Sequence, residues 1–250
     1  MGRFLFGALM DQPVLTISLV HLSLALVPVL VTLVILHKWS LSTGNAVYAL
    51  GRMLAQLLLI GYVLAWIFNA DNWLLIVLIL LMMVLASSWI ALRTAAAQRW
   101  RLLGGAVLAI AVGGGVNLAL ITQAVLPLVP WSLPRYTVPL AGRVFAMDMP
   151  SVSLAAERLF AERAHGDSWQ QARTAAFQAA LIPVVNSLFA VGLVSLPGMM
   201  TGQILSGVDP MVAVRYQIMV MCMTFGSAGL GAASYLVLVR RMNIPAPPVQ

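Results

Sequence analysis

The fold class is decided by residues 181–220, LIPVVNSLFAVGLVSLPGMMTGQILSGVDPMVAVRYQIMV. Between Arg173 and Arg215 the only charged side chain is Asp209. A run this long and apolar predicts membrane-spanning helix rather than the surface of a soluble domain. Pro197 and Gly198 interrupt the run, and amides and hydroxyls occur along it. Because helix breakers and polar groups at membrane depth need partners, we interpret this span as a moving or conducting element, not a plain anchor.

The composition extends this interpretation to the whole chain. The 250 residues are 62% hydrophobic and 8% charged, whereas soluble domains carry about 25% charged residues. We therefore predict an all-α, polytopic membrane protein whose main partner is the lipid bilayer. The net charge of +7 fits basic residues held in cytoplasmic loops, so we expect no nucleic-acid partner. The single cysteine, Cys222, excludes an intrachain disulfide.

Seven segments approach the roughly 20 apolar residues that cross a bilayer. They leave no room for a separate soluble domain, so residues 1–250 are predicted to form one transmembrane domain. Nine basic residues fall in one set of connecting loops and three in the other. The positive-inside rule then predicts an outside N-terminus and a cytoplasmic C-terminus. The predicted spans are Val14–Leu36, Ala46–Phe68, Trp73–Leu92, Leu102–Leu126, Tyr136–Leu154, Leu181–Leu205 and Met211–Val239.

The longest connection, Ala155–Ala180, is predicted to lie in the cytoplasm as two short helices divided by Gly166-Asp167-Ser168. Ser168 and Gln171 have the spacing of a capping box, which would start the second helix. Two readings stay open for this segment. It is either a docking surface for a soluble partner or an amphipathic hairpin that only links two spans.

Several polar residues inside the spans are candidates for function. Arg52 and Gln56 lie one turn apart on one helix face, so both are predicted to face the interior, although Arg52 has the alternative of reaching the interface. Asn117, Asn186, Gln203 and Gln217 are expected to form hydrogen bonds between helices. Arg143 and Asp148 weaken the fifth span, and Asp148 is expected to pair with Arg143 or Arg52. The glycines of Gly198-Met-Met-Thr-Gly202 match a close-packing or dimer motif.

Metal-ligand and enzyme signatures are not found in the sequence. His21, His37 and His165 are far apart, and the methionine groups are better explained as packing residues than as a copper site. Lys38 is the only lysine and follows no phosphate-binding glycine loop. We expect no enzymatic activity and no metal site in this chain, so any ATP must be bound by another chain.

Three segments carry a resemblance to a known family: GRMLAQLLLIGYVL (Gly51–Leu64), LIPVVNSLFAVGLVSLPGMMTGQILSGVDP (Leu181–Pro210) and AVRYQIMVM (Ala213–Met221). They resemble the FetB family, the permease subunits of a bacterial ABC-type iron exporter with plant relatives tied to aluminium tolerance. The resemblance implies a homodimeric permease of seven helices in the bacterial cytoplasmic (inner) membrane. It also implies iron efflux driven by a separate cytoplasmic ATPase subunit that binds ATP-Mg, with no cofactor on this chain.

The resemblance and the span analysis together give the candidate residues. The transport pathway and its hinge are assigned to Arg52, Gln56, Asn186, Ser187, Pro197, Gly198, Met199, Met200 and Gln217. Coupling to the ATPase is assigned to Glu157, Arg158, Glu162, Arg163, Gly166 and Gln171 within residues 155–180. The chain departs from the family pattern in the fifth span, VPLAGRVFAMDM (Val138–Met149), where Arg143, Ala146, Met147 and Asp148 replace its usual residues.

Other function classes remain open at this point. An ATP-independent carrier or channel would transport by itself in liposomes. A permease of this family could export a different substrate, such as a sugar nucleotide. A membrane scaffold or sensor would bind partners without any flux.

Overall fold

The computed structural model describes residues 17–68, 72–95 and 98–242, and these ranges contain helices but no β-sheet. The chain divides into two compact units, and the boundary between them in the sequence follows residue 69. The first contains α1 (Leu19–Leu24), α2 (Val27–Lys38) and α3 (Thr43–Phe68). The second contains α4 (Trp73–Ala91), α5 (Arg99–Leu120), α6 (Pro134–Ala164), α7 (Trp169–Ala190), α8 (Gly198–Leu205) and α9 (Pro210–Met242).

Four helical segments of the described residues are long and apolar enough to cross a membrane. They correspond to the first, third, fourth and seventh predicted spans: Val20–Lys38, Trp73–Ala91, Arg99–Val125 and Pro210–Met242. The second predicted span lies in α3, which has 26 residues. The fifth lies in α6, and the sixth is divided between α7 and α8. The all-α membrane architecture is therefore confirmed, while the number of spans and their orientation stay predictions.

The core of the second unit forms where α5, α6 and α9 pack together. Fully buried side chains there include Ile110, Val144 and Tyr235. Small residues allow the closest approach: a Cβ atom on Gly113 would lie 2.6 Å from the backbone nitrogen of Gly231. Lipid tails are as apolar as the side chains, so moving a side chain out of lipid adds little to helix association. Close contact between the backbones adds dispersion energy instead.

The segment 155–180 is divided at the predicted position, since α6 ends at Ala164 and α7 begins at Trp169, but the prediction that its two helices are short is wrong. Its first part is the end of α6, a 31-residue helix that runs without interruption to Ala164. Its second part begins α7, which continues for 22 residues to Ala190. The reason is a buried small-residue stripe that keeps the helical period across the predicted boundary, at Ala172, Ala176, Ala180 and Val184. The capping box is confirmed, since Ser168 Oγ accepts from Gln171 N and Gln171 Oε1 accepts from Ser168 N.

The break in the sixth predicted span is wider than its Pro-Gly pair. Helix α7 ends at Ala190, and α8 begins at Gly198 with Pro197 as its N-cap residue. Residues 191–197 form an irregular turn that includes Gly192 at a φ of 85°. Pro197 cannot donate the backbone hydrogen bond of a continuing helix, so one unbroken helix from α7 into α8 would be interrupted there.

Candidate functional site

A cavity of about 710 Å³ lies among α6, α8 and α9 in the second unit. Four residues that were assigned to the transport pathway line it: Pro197, Gly198, Met199 and Gln217. The first three come from the start of α8 and the fourth from α9, so the helix break and the last helix supply one wall each. This volume is in the range of small-molecule sites in proteins.

Helix α6 supplies the charged wall of the cavity. Arg135, Pro139, Gly142, Arg143 and Ala146 line it, at spacings that place them along one face of a helix. Helix α6 begins at Pro134, whose restricted φ suits the first helical position and so places Arg135 in the first turn. Both arginines are exposed, and neither forms an ion pair within the described residues.

Two amide side chains add unpartnered polar atoms to the same lining. Gln217 is 6% exposed, and its buried Nε2 has no hydrogen-bond partner among the described residues. Gln203 of α8 likewise has a buried Oε1 without a hydrogen-bond partner among the described residues. The expected hydrogen bonds between helices are therefore not formed at these two amides. Because buried polar atoms are usually paired, these two atoms lack the partners that they would be expected to have.

Met200 faces a second, apolar cavity of about 430 Å³. Pro197 and Gln217 line this cavity as well as the first, so the helix break separates a polar space from an apolar one. Met221 and Met223 are buried core residues of α9, which supports the packing role given to that methionine group. Among the described residues, no group of three or more His, Cys, Asp or Glu could hold a metal ion.

Asp148 is a buried carboxylate that the sequence did not single out as a site. It is 0% exposed and lies where α6 meets two glycines: a Cβ on Gly114 would come within 2.9 Å of its Oδ2, and one on Gly231 within 3.2 Å of its Oδ1. No ion pair joins Asp148 to Arg143, because the arginine is exposed on another face of α6. Two features of the sequence could have predicted this contact: the glycine run at residues 113–115 and the acid in a neighbouring predicted span.

The remaining pathway residues are not gathered at the cavity. Asn186 is exposed and Ser187 half-buried, near the end of α7, and neither lines it. Asn117 forms its hydrogen bond within α5, to the carbonyl of Gly113 at 2.8 Å, rather than between helices. Arg52 and Gln56 lie on α3 in the first unit, where both side chains are exposed. Their inward-facing role stays a prediction.

The coupling residues meet at the tip of the α6–α7 hairpin. Arg158 and Glu162 form an ion pair on α6, and Arg163 Nη1 donates to the carbonyl oxygen of Asp167 at 2.8 Å. Gly166 makes the turn with a φ of 95°, a conformation that costs other residues energy. Glu157 and Gln171 are exposed beside the tip. The tip is thus an ordered, charged surface at the end of two long helices.

These features define a polytopic all-α membrane protein with an arginine-containing cavity among α6, α8 and α9 and a charged hairpin tip. The chain belongs to the uncharacterised protein family UPF0014, whose model matches residues 19–243. It is 35% identical over 241 residues to the probable iron export permease protein FetB of Escherichia coli, covering 89% of this chain and 91% of that protein.

Other relatives come from cyanobacteria and plants. The chain is 35% identical over 194 residues to the UPF0014 membrane protein slr1647 of Synechocystis, covering 72% of this chain and 75% of the relative. It is 32% identical over 222 residues to the protein ALUMINUM SENSITIVE 3 of Arabidopsis thaliana, covering 82% and 79%. No solved structure matches the chain. The resemblance read from the sequence is confirmed.

Proposed function

We propose that this chain is the permease subunit of an ABC-type exporter that carries iron out of the cell. It would work as a homodimer in a bacterial cytoplasmic membrane, with ATP hydrolysed by a separate subunit. The name of the Escherichia coli relative, a probable iron export permease, supports the transport class and the cargo. The chain has no glycine-rich phosphate loop of its own, which is the reason to assign ATP hydrolysis to a partner.

The observation that carries the proposal is the architecture of α6. One helix contributes Arg135 and Arg143 to the cavity and Arg158 and Arg163 to the exposed tip. A partner that docks on the tip would therefore act on the same helix that lines the candidate pathway. Mixed charges on an exposed tip favour specific docking, since electrostatic complementarity sets orientation and partner choice.

The irregular segment at residues 191–197 gives this arrangement a joint. Helix α7 leads from the tip to Ala190, and after the joint Gly198 and Met199 enter the cavity wall. Movement of the tip would shift α7 as a unit, and the joint would let α8 change its angle relative to α7. Hinges are commonly a few residues at the ends of elements that absorb such changes.

Coupling is tested by purifying the full-length chain in nanodiscs and adding a candidate ATPase subunit. We expect the permease to raise ATP turnover and to bind the ATPase at the tip. Arg158→Glu combined with Arg163→Glu should reduce both effects about 10-fold or more, while the same charge reversal at Arg101, exposed on α5, should leave them unchanged. Equal coupling in the tip variant and the control would refute docking at the tip.

Export is tested separately in proteoliposomes loaded with iron and ATP. The wild-type chain with its ATPase should move iron only while ATP is hydrolysed. Pro197→Ala combined with Gly198→Ala should assemble normally and transport more slowly, because α8 would tend to extend toward residues 191–197. Iron flux by this chain alone, without ATPase, would instead identify a carrier or channel.

A further inference from the structure

We propose that the cavity among α6, α8 and α9 binds its cargo through an oxyanion, so that the metal leaves as an anionic complex of a small carboxylate or phosphate ligand. This inference rests on the proposed export function and specifies the chemical form of its substrate. It depends on the charge and the hydrogen-bonding groups of the cavity lining, which favour an anion over a bare metal cation.

The charge of the lining has one sign. Arg135 and Arg143 both line the cavity, and among the described residues no Asp, Glu, His or Cys does. Asp148, the nearest acid along α6, is 0% exposed and lies against glycines of α5 and α9 instead. A bare iron cation would meet two guanidinium groups and no anionic ligand, which is an unfavourable environment for a cation. A carboxylate or phosphate would instead receive charge-assisted hydrogen bonds.

The placement of the two arginines suits a ligand of several atoms. They are eight residues apart on α6, which corresponds to about 12 Å along the helix axis. Tyr136 and Tyr216 line the same space with hydroxyl donors. A cavity of about 710 Å³ is far larger than a hydrated metal ion needs, whereas it matches a small chelate.

The amide of Gln217 provides an independent observation. This side chain is 94% buried and lines the cavity, and its Nε2 has no partner among the described residues. An unpaired buried donor costs free energy, and an oxygen acceptor that reached it would remove that cost. A metal cation could not accept this hydrogen bond, whereas the unpaired Oε1 of Gln203 in the same lining is an acceptor for a protonated group of the ligand.

Binding is tested with the full-length chain in nanodiscs of phosphatidylcholine, using iron(III) citrate and iron(II) alone as probes. We expect the citrate complex to bind and iron(II) alone not to bind. Arg143→Gln and Arg135→Gln should each weaken the complex about 10-fold, and Arg143→Lys should recover part of the loss. Arg215→Gln is the matched control, because Arg215 is exposed on α9 but does not line the cavity.

Three results would overturn the inference. Iron(II) alone could bind as tightly as the complex, or Arg215→Gln could weaken binding as much as the two cavity variants. Third, phosphatidylglycerol added to the nanodiscs could abolish binding of the complex, which would identify a lipid-headgroup site. The export assay separates this inference from the proposed function. If the wild type exports no iron, the proposed function fails, whereas equal export by the wild type and by Arg135→Gln combined with Arg143→Gln refutes only the oxyanion site.

Discussion

Gly113→Ala is the most direct test of how α5 and α9 pack. The added Cβ would lie 2.6 Å from Gly231 N, 2.7 Å from Gly231 Cα and 3.1 Å from the carbonyl oxygen of Ser227. Ordinary contacts begin at 3.4 Å, so the two helices would have to separate by roughly 1 Å. All three atoms belong to the backbone, and no side-chain rotation can relieve the contact.

The size of the effect follows from two opposing contributions. Overpacking of a close interface costs about 1–3 kcal/mol, and a rigid backbone contact favours the upper end of that range. Replacing glycine by alanine within a helix returns up to about 1 kcal/mol. We therefore expect Gly113→Ala to lower the free energy of unfolding by about 2 kcal/mol, which is roughly a 30-fold change in the unfolding equilibrium.

The neighbouring residue provides the control. Among the described residues, no atom of another element lies within 4 Å of a Cβ placed on Gly115, so Gly115→Ala should be neutral or stabilising by up to about 1 kcal/mol. Both variants are measured by equilibrium unfolding of the full-length chain in lipid bicelles, with steric trapping of the unfolded state. If Gly113→Ala is as stable as Gly115→Ala, α5 and α9 do not approach each other at this point, and the packing described for the core is wrong.

Three further predictions concern the second unit. Gly114→Ala should also destabilise the fold, because its Cβ would come within 2.5 Å of Phe145 Cε1. Adding Phe145→Leu should recover part of the loss in the same unfolding assay, because the smaller side chain removes this ring atom. Asp148→Asn should leave stability unchanged or raise it, since the buried carboxylate has no ion pair among the described residues; a marked loss in unfolding free energy would reveal a partner of the charged form. Ser168→Ala should lower the melting temperature and cost about 1 kcal/mol, because it removes the side-chain cap of α7.

Much of the fold was accessible from the sequence because the controlling signals are local. The apolar runs predict the helices of the membrane domain, and Ser168 with Gln171 correctly predicts the start of α7. The start of a new helix after Pro197 agrees with the missing backbone donor of proline, whereas the end of α7 at Ala190 does not follow from it. The break between Ala164 and Trp169 was predicted correctly, but the lengths of the two helices beside it were not. Buried alanines continue α7 past the predicted boundary at Ala180, and their contribution depends on a neighbouring helix that the sequence does not reveal.

The candidate site was less accessible because it depends on which faces of the helices meet. Pro197, Gly198, Met199 and Gln217 were assigned to the pathway, and the structure brings them to one cavity. Arg143 was treated as a weakness of the fifth span, although it lines that cavity with Gln217. The glycines at 198 and 202 suggested close helix packing, yet among the described residues no atom of another element lies within 4 Å of a Cβ placed on either. Spacing in the sequence identifies a helix face but not the element that covers it.

The internal prolines of α6 suggest how the tip and the cavity are connected. About 22 Å of helix separates Arg143 from Arg158, and Pro150 lies between them. Pro150 has no N–H to donate to the carbonyl of Ala146, which lines the cavity. Helices bend most readily where such a bond is missing. A force on the tip would thus concentrate its bending beside the cavity wall, where a small change in angle would shift Arg143 relative to Gln217. In the proposed mechanism, the docking partner and the cargo need not touch each other. Bending of α6 at Pro150 would be enough to connect them.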